Sequence, residues 1–387
     1  MKKFYNTSTF LIFGFFSIIT TFYFPYLNQS VGLSLNEVGK VVSVGALFTI
    51  IAQPTITKLY SNSKNKNNFI ILYLTSVFIT IIALMMIDNN TAIFYAPFYG
   101  LILGSVAGVF EIYIEEISTY NGYEFSDIRK WGSIGYAFIV FIGGFIINKL
   151  GYRAIHILSL MLILLIILII WRKFDSPEII EDNKGKNNFF KLAEFIKNKN
   201  IILLIIVIGL GIGSYMGLDF AYSSYLSSIL GDVDKANNIY SMSISFRVVI
   251  EFFSFMIVSK YSNKLKSKNC LIVALIIASI KVLMFSTGNI ILIVIGDQLH
   301  GVMYGIYLTF IFKYLREIIE DKLVAITFSI LSVLSTGGAN FIYPAIYSQL
   351  QLKYGYFSIY LCGFGFIVIS ILVLIFGLPE SKKANNV

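Results

Sequence analysis

Charged side chains inside long apolar runs mark where this chain can do chemistry. An ionised group in a bilayer core costs about 2.5–3.5 kcal/mol on insertion scales, so it is usually paired, hydrated or used. Glu111 lies in the apolar run Thr91 to Ile117, and Arg129 opens the next run. A carboxylate and a guanidinium can together accept and donate hydrogen bonds to a polyhydroxylated ligand, and a bidentate pair fixes geometry well. The alternative is that Arg129 only flanks its helix beside Lys130. Tyr136 and Trp131 could offer an aromatic face to the apolar side of a ring. With 35 Phe and 25 Tyr in the chain, however, most aromatic residues must serve the lipid interface, and Trp131 near the helix end fits that role. Glu115 and Glu116, a turn further on, read as solvated helix-end residues.

A second set lies in the later half of the chain. Arg247 and Glu251 are four apart and share a helix face. Lys281 requires a buried anion, with Asp219 and Glu251 available. A carboxylate that changes partner or solvation changes its proton affinity. Glu251 and Asp219 are therefore the candidate proton carriers, followed by Asp297. His300 and Asp297 are three apart, a spacing suited to a proton relay or to holding a hydroxyl. Two ligands do not close a metal shell, and no zinc, nucleophile-elbow or phosphate-loop motif occurs. The other histidine, His156, reads as structural.

These residues need a frame that brings them together inside a membrane. The chain is 57% hydrophobic and 13% charged, with mean hydropathy +0.79, and its apolar windows are continuous rather than alternating. That composition implies a polytopic helical membrane protein and argues against a β-barrel. Windows of about 20 residues fall near 7–28, 38–59, 69–87, 92–117, 128–148 and 153–172. Six more fall near 200–229, 238–259, 269–287, 290–314, 323–348 and 356–378. The expected organisation is a six-helix bundle over 1–172, a cytoplasmic linker over 173–199 and a second six-helix bundle over 200–387. The linker carries an amphipathic stretch, Asn188 to Lys197, suited to the membrane surface.

Lysines gather after the second, eighth and tenth spans and at the C-terminal end, including Lys322, Lys382 and Lys383. The positive-inside rule then puts both termini in the cytoplasm. The net charge of +9 is explained the same way, and no nucleic-acid partner is expected. Met-Lys-Lys before an apolar run is read as the start of a retained first helix, since no small-residue cleavage site follows before Pro25. The two cysteines, Cys270 and Cys362, fall near opposite membrane faces and imply no disulfide. An internal echo supports two related halves: Lys58, Lys64 and Lys66 match Lys260, Lys266 and Lys268 without gaps. Parallel six-helix repeats of this kind occur in one large transporter class.

The pattern resembles the major facilitator superfamily. Tyr23-Phe-Pro-Tyr-Leu27, Gly32-Leu-Ser34 and Gly39 are similar to its first outer loop. More narrowly, the chain resembles the oligosaccharide:proton symporter branch (lactose permease-like) and the related phenylpropionate and nucleoside permeases. Glu111, Arg129 and Tyr136 keep the spacing of that branch's sugar-binding segment. Gln298-Leu-His300-Gly is similar to a run of the phenylpropionate-permease branch. The chain departs from the lactose permease pattern at Met303, where a coupling glutamate is usual, and at Asp297, where a lysine is usual. The loop after the second span also lacks the Gly and Asp of the superfamily's gating signature.

The resemblance implies an all-α membrane protein, with twelve transmembrane helices in two bundles, in a bacterial inner membrane. It implies secondary transport of a small polar solute, a sugar or oligosaccharide moving with a proton by alternating access. Glu111, Arg129, Tyr136, Asp219 and His300 would contact the solute; Glu251, Asp219, Lys281 and Asp297 would serve coupling. No cofactor beyond the coupling proton and no enzymatic activity are expected, and a monomer in lipid suffices. The alternatives are an aromatic acid or nucleoside as cargo, or efflux, with a membrane sensor or enzyme more remote.

Overall fold

The structure, a computed structural model, describes residues 2–123, 125–174, 198–320 and 333–381, with 324, 327, 328, 330 and 331 between the last two stretches. The amphipathic stretch of the linker and Lys322, Lys382 and Lys383 lie outside the described residues.

Ten helices among the described residues are long and apolar enough to cross a membrane. The first four are α1 (Lys2–Ser30), α2 (Leu35–Ser61), α3 (Lys66–Leu84) and α4 (Ala92–Ser118). Phe125–Lys173 is continuous over 49 residues, but Gly151 inside it sits at φ +75° and ψ 175°. At about 1.5 Å per residue the run is more than twice a hydrocarbon core of about 30 Å, so it crosses twice. It is divided here into α5 (125–150) and α6 (152–173). Next come α7 (Lys199–Leu230), α8 (Val233–Tyr261), α9 (Ser267–Ser286) and α10 (Ile290–Ile318). The described part of α11 is Ala339–Tyr354 after a π-helical turn at Leu334–Gly338, and α12 is Tyr356–Gly377. Twelve spans result, in an all-helical membrane protein.

The internal echo has a physical counterpart. Gly355, between α11 and α12, repeats the backbone of Gly151, with φ +78° and ψ −179°. Only glycine enters this region freely, so the same residue makes the same sharp reversal in both halves. The matched lysines Lys66 and Lys268 are both buried. Lys66 Nζ donates to the carbonyls of Tyr60 and Ser61 at 3.0 and 2.9 Å, closing the end of α2. Lys268 Nζ donates to Ile375 and Leu378 at 2.9 Å and to Glu380 at 2.7 Å, closing the end of α12. Each ammonium satisfies carbonyls that a helix end leaves without partners. A tyrosine repeats too. Tyr113 of α4 donates to Asn67, which donates to the Phe174 carbonyl just past α6. Tyr314 of α10 donates to the Pro379 carbonyl just past α12.

The chain gathers into two compact units: Met1–Ile180 with Ala221–Val248, and Glu181–Phe220 with Val249–Val387. In the first unit, α1 packs along α5 and α2 along α4. The segment Ala221–Val248 joins it through Tyr240 to the Thr21 carbonyl (2.9 Å) and Ser245 to the Ala137 carbonyl (2.8 Å). In the second unit α9 packs on α10 and α12.

Candidate functional site

The first unit holds the Glu111 group. Its helix, α4, is interrupted by a π-helical turn at Tyr99–Leu103. Such a turn displaces backbone carbonyls from their helical partners, which is costly in lipid unless other groups bond them. Two side chains do so: Thr49 Oγ1 donates to the Gly100 carbonyl at 3.1 Å, and Tyr73 Oη to the Ile102 carbonyl at 2.8 Å. The turn re-aims the last stretch of α4, which carries Glu111. Arg129 Nε donates to Glu111 Oε1, and both side chains are about one-third exposed. The guanidinium lies 4.0 Å from the centre of the Phe13 ring on α1. A flat, delocalised cation over an aromatic face is held at a fixed tilt.

Tyr136 follows Arg129 by two turns on α5. Its hydroxyl lies 3.2 and 3.0 Å from the hydroxyls of Thr20 and Thr21 on α1. The three sequence-chosen residues of this group thus share one helix trio, α1, α4 and α5. Trp131 is exposed, 38% of its surface being uncovered. Glu116 differs from the solvated residue expected: it accepts a hydrogen bond from Tyr60, whose side chain is fully buried. Distance from the helix end alone implies solvation, whereas the Tyr60 contact comes from α2. Glu115 is exposed as expected.

The second unit holds the other set. α7 also contains a π-helical turn, Ile208–Gly213. Tyr343 donates to the Gly209 carbonyl at 2.6 Å and Ser370 to the Val207 carbonyl at 2.8 Å, from α11 and α12. Beyond the turn, Tyr215 and Asp219 follow four residues apart. Lys281 of α9 is buried between two carboxylates, with Asp297 of α10 at 3.0 Å and Asp219 of α7 at 3.5 Å. Asp297 is wholly buried and the Asp219 side chain is 26% exposed. The Lys281 ammonium also lies over the Tyr215 and Phe285 rings, 4.8 and 5.2 Å from their centres. Tyr215 Oη is 2.9 Å from His300 Nδ1, and the two rings stack.

Lys281 therefore ties Asp219 to Asp297, the third-ranked proton carrier, and His300 meets Tyr215. Arg247 and Glu251 lie on α8, four positions apart as their spacing requires. Met303 is fully buried one turn past His300. His156 is buried with both ring nitrogens lacking a partner among the described residues, edge-on to Tyr26 at 4.7 Å. Sequence reasoning missed Phe13, Thr20, Thr21, Tyr215 and Phe285. Only Tyr215 carried a usable signal, its four-residue spacing from Asp219.

An all-helical frame of twelve spans with paired charges inside it defines a polytopic membrane transporter of the major facilitator fold. The chain belongs to the MFS_1 like family, whose pattern matches residues 1–373. It is 24% identical to the lactose permease of Klebsiella oxytoca over 387 residues, covering 94% of this chain and 92% of the relative. It is 23% identical to the sucrose permease of Escherichia coli over 342 residues, covering 85% and 81%. The fold is similar to that of the nucleoside transporter NupG, with a TM-score of 0.80 at 14% identity over 97% of this chain and 98% of that one. It is also similar to a D-xylose-proton symporter, with a TM-score of 0.70 at 14% identity over 98% and 97%. These relatives and neighbours are permeases and transporters rather than enzymes.

Proposed function

We propose that this protein is a sugar:proton symporter that works by alternating access. The carrying observation is the Glu111–Arg129 pair, with the guanidinium on Phe13 and Tyr136 two turns along the same helix. A partly exposed pair of this kind offers acceptors and donors in fixed directions, which suits vicinal hydroxyls. The permeases of sucrose and lactose among the relatives support sugar as the cargo. His300 and Asp219 would contribute further polar contacts.

The Lys281 cluster supports a coupling role. One ammonium faces two carboxylates, so either can take up a proton while the other still holds the lysine. Asp219, the more exposed carboxylate, is the entry point, and Asp297 is the buried store. Glu251 on α8 stays a candidate carrier beside them. This arrangement would take over the work that a glutamate at position 303 would otherwise do. The protein would act as a monomer in a bacterial inner membrane, with both termini and the lysine-rich turns cytoplasmic.

The test is solute uptake into vesicles under an imposed pH gradient. Glu111→Gln and Arg129→Ala should each abolish accumulation of the transported sugar. Uptake that survives both substitutions would remove the site assignment. A nucleoside or aromatic acid is the second reading, favoured by the Gln298-Leu-His300-Gly run. A competition panel of sugars, phenylpropionates and nucleosides distinguishes the two.

A further inference from the structure

A cavity of about 500 Å³ opens in the second unit beside the α8–α9 turn. Val258, Val273, Ile306 and Phe310 wall it, from α8, α9 and α10, and Lys264 and Lys266 stand at its mouth. Val273 is 46% exposed although it lines the cavity, so the apolar wall opens onto the surface that meets lipid. Both mouth lysines are exposed. Lys313, whose ammonium lies 5.9 Å from the centre of the lining Phe310 ring, bonds the Ser262 and Leu265 carbonyls at 2.7 and 3.3 Å, which holds the turn in place. Among the lining residues there is no carboxylate. The acidic groups nearby are turned elsewhere: Glu317 accepts Ser267 Oγ at 2.7 Å, and Glu380 accepts Lys268 Nζ at 2.7 Å.

We propose that this cavity is a binding site for an anionic phospholipid of the leaflet level with the α8–α9 turn. The phosphodiester would sit between Lys264 and Lys266, and one acyl chain would enter between α8, α9 and α10. The division of the cavity into a cationic mouth and an apolar wall matches an amphiphile with a negative head. A solute such as a sugar finds too few polar partners there, and a free phosphate would leave the wall empty. The matched lysines Lys66 and Lys268 both turn inward onto carbonyls, whereas Lys264 and Lys266 stay exposed.

The test uses the full-length protein, purified and stripped of lipid, with three probes: dioleoyl phosphatidylglycerol, dioleoyl phosphatidylcholine and inorganic phosphate. Each lysine near an anionic lipid contributes about 1 kcal/mol, and 1.4 kcal/mol is a factor of ten. The Lys264→Gln, Lys266→Gln double variant should therefore bind phosphatidylglycerol about thirty-fold more weakly. Lys235→Gln, an exposed lysine at the far end of α8, should bind it as the wild type does. Phosphatidylcholine and inorganic phosphate should each bind the wild type at least about tenfold more weakly than phosphatidylglycerol. The half-buried Cys270 lines the cavity and provides a readout without any variant. Phosphatidylglycerol should slow its alkylation, and phosphatidylcholine should not. Equal binding by the double variant, equal protection of Cys270 by both lipids, or phosphate binding as tight as that of phosphatidylglycerol would each overturn the proposal.

Discussion

Lys281 shows how a buried charge is made tolerable. Asp297 at 3.0 Å and Asp219 at 3.5 Å face it, and two aromatic rings line its ammonium. Removing one partner of a buried pair leaves the other charge stranded, at a typical cost of about 3–5 kcal/mol. Asp297→Ala should therefore lower the thermal stability of the purified protein by about 3 kcal/mol or somewhat less, because Asp219 remains. Adding Lys281→Ala should restore most of the loss, as it removes the stranded ammonium and leaves only Asp219, which is 26% exposed and can be hydrated. A double variant no more stable than Asp297→Ala would mean that the pair does not share this energy. The need for a partner was legible from Lys281 itself, because an ammonium in an apolar run demands one. The choice of Asp297 was not, since it depends on α9 and α10 lying side by side. Phe13 was hidden for a different reason: aromatic residues make up 16% of the chain and type alone carries little information.

Helices here are positioned by close approaches and by repaired breaks. A Cβ on Gly135 of α5 would lie 2.2 Å from the Phe10 carbonyl of α1, a backbone atom that cannot swing aside. Gly135→Val should destabilise the protein by about 1–3 kcal/mol through overpacking. It should also disturb solute binding, because Arg129 and Tyr136 ride on α5 and Phe13 on α1. A melting temperature unchanged by the substitution would show that the two helices can part at no cost. The stretch after α12 gives an element-level pH effect. Glu380 is held below the usual carboxylate range by its hydrogen bond from Lys268, then by the charge of that lysine. A carboxyl lowered in the folded state adds stability above its unfolded range and loses it as the pH falls through the folded value. Melting temperature should thus drop slightly more on acidification in the wild type than in Glu380→Gln, and the effect is small because Glu380 is exposed. Parallel curves would remove Glu380 from the account. The π-helical turns of α4 and α7 were not read from the sequence, although Pro97 precedes one and Gly209, Gly211 and Gly213 lie in the other. Proline and glycine permit a break, but the tyrosines, threonine and serine that repair it come from other helices.

At the scale of the molecule, charge asymmetry predicts orientation. With both native cysteines replaced, a single cysteine at Asn62, in the lysine-rich turn after α2, should react with an impermeant maleimide only in inside-out vesicles. One at Asn90, before α4, should react in intact cells. The reverse pattern would overturn the assignment of both termini to the cytoplasm. Twelve spans and the need of each membrane-embedded charge for a partner were determined by the sequence alone. Each follows from local rules: an apolar run of bilayer length must be helical, and a charge within it must find a partner. Glu111 with Arg129 and Lys281 with Asp219 were pairings the sequence offered, whereas the contact of Lys281 with Asp297 was decided only in the tertiary structure. The Glu111–Arg129 pair lies on two helices, and the Lys281 cluster draws on three. Spacing along one helix reveals a shared face, as for Tyr215 and Asp219. It does not reveal which neighbouring helix that face will meet, because that is set by packing among helices of nearly uniform apolarity.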